Sequence, residues 1–230
     1  MTEALLFSAF AGILGTAAGG LAALLLRARA ASFTRAAMAF AGGVMLAVSF
    51  LDLIPAAAAL APFYLILPGV VAGVLIVALL GRLLPEKGTG ALLFLAIALH
   101  NFPEGLAIGT GLTAAPRLGF TLALLIALHN LPEGLSVALA LRKDGAKPLP
   151  VLLLTALCGA PTVLGGFSGM LIGRISPAVT AFSLAAAAGA MIEVTFAEVL
   201  PESLPAPTRL PSFAAVGGCL FGFLTAALLS

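Results

Sequence analysis

Charge is scarce in this chain. Only 9% of its 230 residues are Asp, Glu, Lys or Arg, against about 25% in ordinary soluble domains. Tryptophan is absent, tyrosine occurs once and histidine twice. With 62% of residues hydrophobic, a water-soluble fold of this length would lack the polar surface to cover itself, so the chain is expected in a bilayer. A net charge of +2 is too small to suggest nucleic acid as a partner. Cys158 and Cys219 lie in apolar stretches without zinc-finger spacing, which predicts buried free thiols and no disulfide. Glu3 and no basic residue precede the first apolar run, so the basic leader of a signal peptide is missing and residues 4–26 read as a mature span.

What is present is a series of apolar runs of about 20 residues, each long enough to cross a hydrocarbon core. Eight are expected, at 4–26, 36–58, 63–84, 90–113, 117–141, 149–172, 177–200 and 211–229. Short connections carrying Pro, Gly or charge separate them, and none has room for a soluble domain. The fold class is therefore an all-α polytopic membrane protein with a single transmembrane domain over residues 1–230. With the N-terminus outside, the inner loops hold Arg27, Arg29, Arg35, Arg82, Lys87, Arg142, Lys143, Lys147 and Arg209, and the outer loops only Arg117 and Arg174. Nine against two follows the positive-inside bias and predicts both termini outside the cytoplasm.

The chain also repeats itself. Gly43 to Pro55 of the second span matches Gly189 to Pro201 of the seventh at an offset of 146 residues, with Asp52 meeting Glu198 and Pro55 meeting Pro201. At that offset Thr16, Gly19 and Gly20 meet Thr162, Gly165 and Gly166. Residues 4–84 and 149–230 read as two copies of one three-helix unit around a central pair over 90–141, a 3+2+3 inverted-repeat arrangement. Such repeats place substrate near the midplane of many secondary transporters.

The central pair carries the chemistry. His100-Asn101-Phe102-Pro103-Glu104-Gly105 and His129-Asn130-Leu131-Pro132-Glu133-Gly134 differ at one position and hold both histidines of the chain. A charged side chain at the centre of a span costs about 2.5–3.5 kcal/mol on insertion scales, so two copies imply a shared purpose. Imidazole, carboxylate and amide oxygen are all metal ligands, and two carboxylates offset a 2+ charge. His at i and Glu at i+4 lie on one helical face and can hold one ion. Asn at i+1 points about 100° away, toward an adjacent ion or a path wall. Proline at i+3 frees the carbonyls of Leu99 and Leu128, which is tolerated beside protein or a wet cavity. Gly105 and Gly134 permit close helix approach. The bland reading is two core histidines that only cross-link helices.

Weaker signals surround these motifs. Asp52 and Glu198 fall near opposite membrane faces and read as entrance and exit residues, or else as helix caps. Glu193, where the other repeat has Ala47, reads as a pathway acid. Met45 and Met191 offer a soft thioether, with apolar packing the simpler role.

With these motifs the chain resembles the ZIP (Zrt-, Irt-like protein) metal transporters, in particular their prokaryotic GufA-like and ZupT-like branch. The two hexapeptides carry the resemblance, together with the Gly-Ala-Met-Ile run that leads to Glu198-Val199-Leu200-Pro201-Glu202. The resemblance implies uptake of Zn²⁺ or a related divalent metal, Fe²⁺, Mn²⁺, Co²⁺ or Cd²⁺, as cargo with no resident cofactor. It implies a principal site at His100, Glu104, His129 and Glu133, with Asn101 and Asn130 at an adjoining position, in a bacterial or archaeal inner membrane. A homodimer is left open. The sixth span departs from the branch: Cys158-Gly159-Ala160-Pro161-Thr162-Val163 has threonine where relatives carry glutamate in Ser-Gly-x-x-Glu-Pro. One tightly held ion is therefore expected, with the position near Asn101, Asn130 and Thr162 weak or empty. Two other classes stay open on the residues alone: a metal-dependent intramembrane hydrolase and a proton-coupled transporter of an organic solute. Against the first, the motif has no glutamate beside the histidine as in His-Glu-x-x-His.

Overall fold

The computed structural model describes residues 2–25, 31–83, 90–205 and 208–229; the side chains at 31, 34, 83, 90–93, 95, 96, 99, 100, 143 and 229 lie outside that description. The described residues form eight long helices and no strand. These are α1 (Thr2–Leu25), α2 (31–60), α3 (Phe63–Leu83), α4 (Gly90–Ala114), α5 (Pro116–Lys143), α6 (Pro148–Gly173), α7 (Pro177–Ser203) and α8 (Leu210–Leu229). Seven are long and apolar enough to cross a membrane, and α4 adds 25 residues. The expected runs are recovered to within a few residues, because each boundary is set by local chemistry. Pro116, Pro148 and Pro177 sit in the first turn of their helices, where the missing N–H is not needed. Ser176 caps α7 by accepting from the Val179 N–H at 3.2 Å. Gly145, at φ 87°, ends α5 in the left-handed conformation that favours glycine.

Three helices contain a widened turn that the apolar pattern did not reveal. In α2 it covers Val48–Leu53 and in α7 Thr195–Val199, both just ahead of a proline, Pro55 and Pro201. The proline ring clashes with the carbonyl four residues back and offers no N–H, and a widened turn relieves both problems. Ile54 N–H therefore reaches Ser49 O, and Leu200 N–H reaches Thr195 O. The hydroxyls bond back one turn as well, Ser49 to Met45 O at 2.8 Å and Thr195 to Met191 O at 2.7 Å. The third widened turn, Phe10–Leu14 of α1, has no proline near it.

Packing pairs α1 with α5, α4 with α6, α2 with α8 and α3 with α7, while α4 and α5 lie against each other. Small residues make these contacts close. A Cβ on Gly134 would run into the Thr16 carbonyl of α1, and one on Gly105 into the Thr162 carbonyl of α6. Likewise Gly19 meets Leu131 O and Gly165 meets Phe102 O. The same correspondence joins Gly218 with Phe40 O, and Gly73 with Ala186 O. Without water to drive helices together, such backbone approach and its dispersion contacts carry the association.

Two apolar cores result. One, with Ile97, Leu135, Leu141, Val151 and Cys158, is confined to α1, α4, α5 and α6. The larger joins α2 and α7 to the C-terminal half of α4 and the N-terminal half of α5, through Ile108, Leu122 and Ile126. Only 17% of the apolar window is buried in α3 and in α8, which makes them the outermost helices. Phe63, Leu67, Phe213 and Phe223 are exposed on them.

Candidate metal centre

The hexapeptides fall inside α4 and α5, which continue as helix through Pro103 and Pro132. Three side chains meet there: Glu104 from α4, and His129 and Glu133 from α5, with ligand atoms all within 4.8 Å of one another. Their relative exposures are 1%, 0% and 3%, so the site is closed off from bulk solvent. His129 and Glu133 are neighbours because i and i+4 stack on one face. Glu104 arrives by packing of α4 on α5, its Oε1 2.8 Å from His129 Nε2.

Two carboxylates held this close repel by on the order of 3 kcal/mol, even at an effective dielectric of about 20. A divalent cation between them reverses the sign of that interaction. Glu104 Oε2, Asn101 Oδ1, Asn130 Oδ1 and Thr162 Oγ1 are also buried with no hydrogen-bond partner. Each such orphan costs about 1–3 kcal/mol, and a fold that keeps four of them in one region is poor unless something else binds there. Imidazole nitrogen with carboxylate and amide oxygens is a donor set suited to Zn²⁺, Mn²⁺, Fe²⁺ or Co²⁺. The residues fit a cation.

The asparagines are anchored at their other end. Asn101 Nδ2 donates to Cys158 O of α6 at 2.8 Å, and Asn130 Nδ2 donates to Ala11 O of α1 at 3.1 Å. These partners were not legible in the sequence. Glycines at 12 and 159 hint that α1 and α6 come close, but nothing local announces a released carbonyl in α1.

The other expected residues are placed as follows. Thr162 is buried on α6, packed against Gly12 and Gly105. His100 follows the helical backbone of α4, and its side chain lies outside the described residues. Met45 is buried in the larger core, its sulfur 3.8 Å from the Thr195 hydroxyl. Asp52 and Glu198, both half-buried, occupy the two corresponding widened turns, and Glu193 is half-buried one turn earlier on α7. Asp52, Glu193 and Glu198 do not join the Glu104, His129 and Glu133 cluster. Cys158 is buried and Cys219 half-buried, both as free thiols.

The chain is similar to known proteins. The family described as "ZIP Zinc transporter" matches residues 82–230. "Zinc transporter GufA" of Myxococcus xanthus is 40% identical over 145 residues, which cover 62% of this chain and 56% of that protein. "Zinc transporter ZupT" of Escherichia coli is 34% identical over 207 residues, 79% of each chain. On the extent of these matches, the chain belongs to the ZIP zinc transporter family.

Proposed function

We propose that this protein carries divalent transition-metal cations, Zn²⁺ foremost, across a membrane into the cytoplasm through the buried site between α4 and α5. It acts as a transporter and not as an enzyme, with the metal as cargo. The observation that carries the reading is the buried cluster of Glu104, His129 and Glu133 within 4.8 Å. A cation neutralises both carboxylates there and takes the imidazole nitrogen as a third donor. In this reading His100 completes the principal site, and Asn101 and Asn130 supply oxygens beside it. Thr162 leaves that neighbouring position without a further charge, and Asp52, Glu193 and Glu198 line the approaches.

The reading includes a 3+2+3 plan, with α1–α3 and α6–α8 exchanged about an axis through α4 and α5. In its support, α1 packs on α5 as α6 packs on α4, and α2 on α8 as α7 on α3. Alternating exposure of a central site by movement between helix groups is the mechanism such symmetry supports. Loop charges favour both termini outside the cytoplasm. Contacts at the two ends of the bundle agree with that alternation: Arg35 donates to Pro205 O at 3.0 Å, and Arg117 reaches Leu228 O at 3.5 Å.

Proteoliposome uptake of Zn²⁺ tests the function. Glu104→Gln and Glu133→Gln each remove one charge at nearly constant volume and are expected to lose most uptake while still inserting. Wild-type uptake by both would leave the central site without support. Cysteines introduced at 88 or 145 should be labelled from the cytoplasmic side alone; labelling of 145 from outside overturns the orientation.

A further inference from the structure

The two asparagines have fixed hands. A primary amide has a donor end and an acceptor end of nearly the same shape, and only its partners decide which way it faces. Here both nitrogens are engaged by main-chain carbonyls, Cys158 O at 2.8 Å and Ala11 O at 3.1 Å. Both oxygens are left buried and unpartnered. Asn101 and Glu104, like Asn130 and Glu133, are three residues apart and share a helix face. Each amide is thus carried on the face that bears the carboxylate, and turning its nitrogen toward a cation would break the bond to a main-chain carbonyl.

A carbonyl inside a helix is normally taken by the N–H four residues on. These two are not, for different reasons. In α6, Thr162 N–H bonds Gly159 O at 3.2 Å and so passes over Cys158 O. Pro161 has no N–H, and its ring excludes the ordinary place of the Leu157 carbonyl, which opens the helix at Gly159. In α1, Gly15 N–H goes to Gly12 O and Phe10 O and leaves Ala11 O between them, which is the effect of the widened turn Phe10–Leu14.

We propose that Cys158 O and Ala11 O are orienting acceptors that hold Asn101 and Asn130 with their oxygens toward the cation, and that Pro161 and the Phe10–Leu14 turn are positioning elements that keep those carbonyls out of their own helices. The proposal rests on the reading of the buried cluster as a cation site. It assigns function to α1 and α6, which contribute none of the carboxylates or imidazoles. It also has a counterintuitive consequence. Aspartate is ordinarily the better ligand for a divalent metal, yet at position 101 one carboxylate oxygen would face Cys158 O with no hydrogen between them.

Calorimetry with Cd²⁺ on the full chain in detergent tests this by a double-mutant cycle between Pro161 and Asn101. Pro161→Ala restores an N–H at 161 and lets Thr162 N–H reclaim Cys158 O. It should weaken Cd²⁺ binding about tenfold, the upper range for one hydrogen bond. In an Asn101→Ala background, where no amide remains to be oriented, the same change should weaken binding less than about twofold. Equal weakening in both backgrounds, or none in the otherwise unchanged chain, overturns the proposal, since a purely structural proline would act alike in each. Should Pro161→Ala fail to fold, Asn101→Asp decides it. Binding at least about fivefold weaker is expected despite the added charge, and equal or tighter binding overturns the proposal. Absence of Cd²⁺ binding by the unchanged chain is a distinct outcome, which removes the cation-site reading itself and the proposal with it.

Discussion

Helices α1 and α6 occupy corresponding places, α1 against α5 and α6 against α4, and each yields one carbonyl to an asparagine of the hexapeptide it touches. They do so by unlike means. In α1 the ladder widens over Phe10–Leu14 without any proline, whereas α6 breaks at Gly159 ahead of Pro161. By contrast α2 and α7 match in detail, with a widened turn, a back-bonded hydroxyl and a following proline in each. The comparison teaches that the pair packed on the hexapeptide helices, α1 and α6, is held to a common result, and the pair α2 and α7 to a common geometry. An amide needs only an acceptor at the right point, and several local conformations supply one. A proline inside a helix leaves fewer ways out.

The largest effect that bears on this comparison is expected at the histidines. His129→Ala removes the bond to Glu104 and a nitrogen donor, so metal affinity should fall roughly 10- to 100-fold, as for hydrogen bonds to charged groups. If the two hexapeptides are equivalent, His100→Ala should match it in a calorimetric titration. A loss confined to 129 would break the equivalence of the halves. Protonation of the same groups comes next. Metal binding needs neutral imidazole and ionised carboxylate, so apparent affinity should fall roughly tenfold from about pH 7.5 to about pH 5.5. A flat profile would argue against histidine as a direct ligand.

Smaller effects probe the packing. Gly105→Ala and Gly134→Ala each drive a Cβ into a main-chain carbonyl, of Thr162 and Thr16 respectively, and should cost about 1–3 kcal/mol each. Thermal unfolding in detergent should show comparable losses, and a large loss at one glycine alone would mean that the two contacts are not equivalent. The smallest change is expected from Ser49→Ala and Thr195→Val, which remove a hydroxyl already bonded to its own helix. A shift below about 1 kcal/mol is expected for each. A loss of uptake from either would place the α2 and α7 turns in the transport step.

Much of this molecule is legible in its sequence. Helix count, boundaries and membrane character follow from runs of Leu, Ala and Val broken by Pro, Gly and charge, since length and apolarity alone decide whether a segment can span. His129 and Glu133 were legible as a pair because four residues of helix bring them to one face. The likeness of the α2 and α7 turns was legible too, from Asp52 before Pro55 and Glu198 before Pro201. Less was visible in α1, where Phe10–Leu14 has no composition to distinguish a widened turn from a regular one.

The sequence by itself determined which groups are available to a cation and on which helices they ride, because ligand chemistry and helical spacing are local properties. The tertiary structure alone decided that Glu104 reaches His129 rather than remaining with its own helix, and that Gly105 and Gly134 approach α6 and α1. It also decided that Cys158 O and Ala11 O take the asparagine nitrogens and leave the oxygens free. Each of these depends on how close two backbones come across distant stretches of chain. That distance is set by the sum of many small contacts along both helices, and no short motif encodes it.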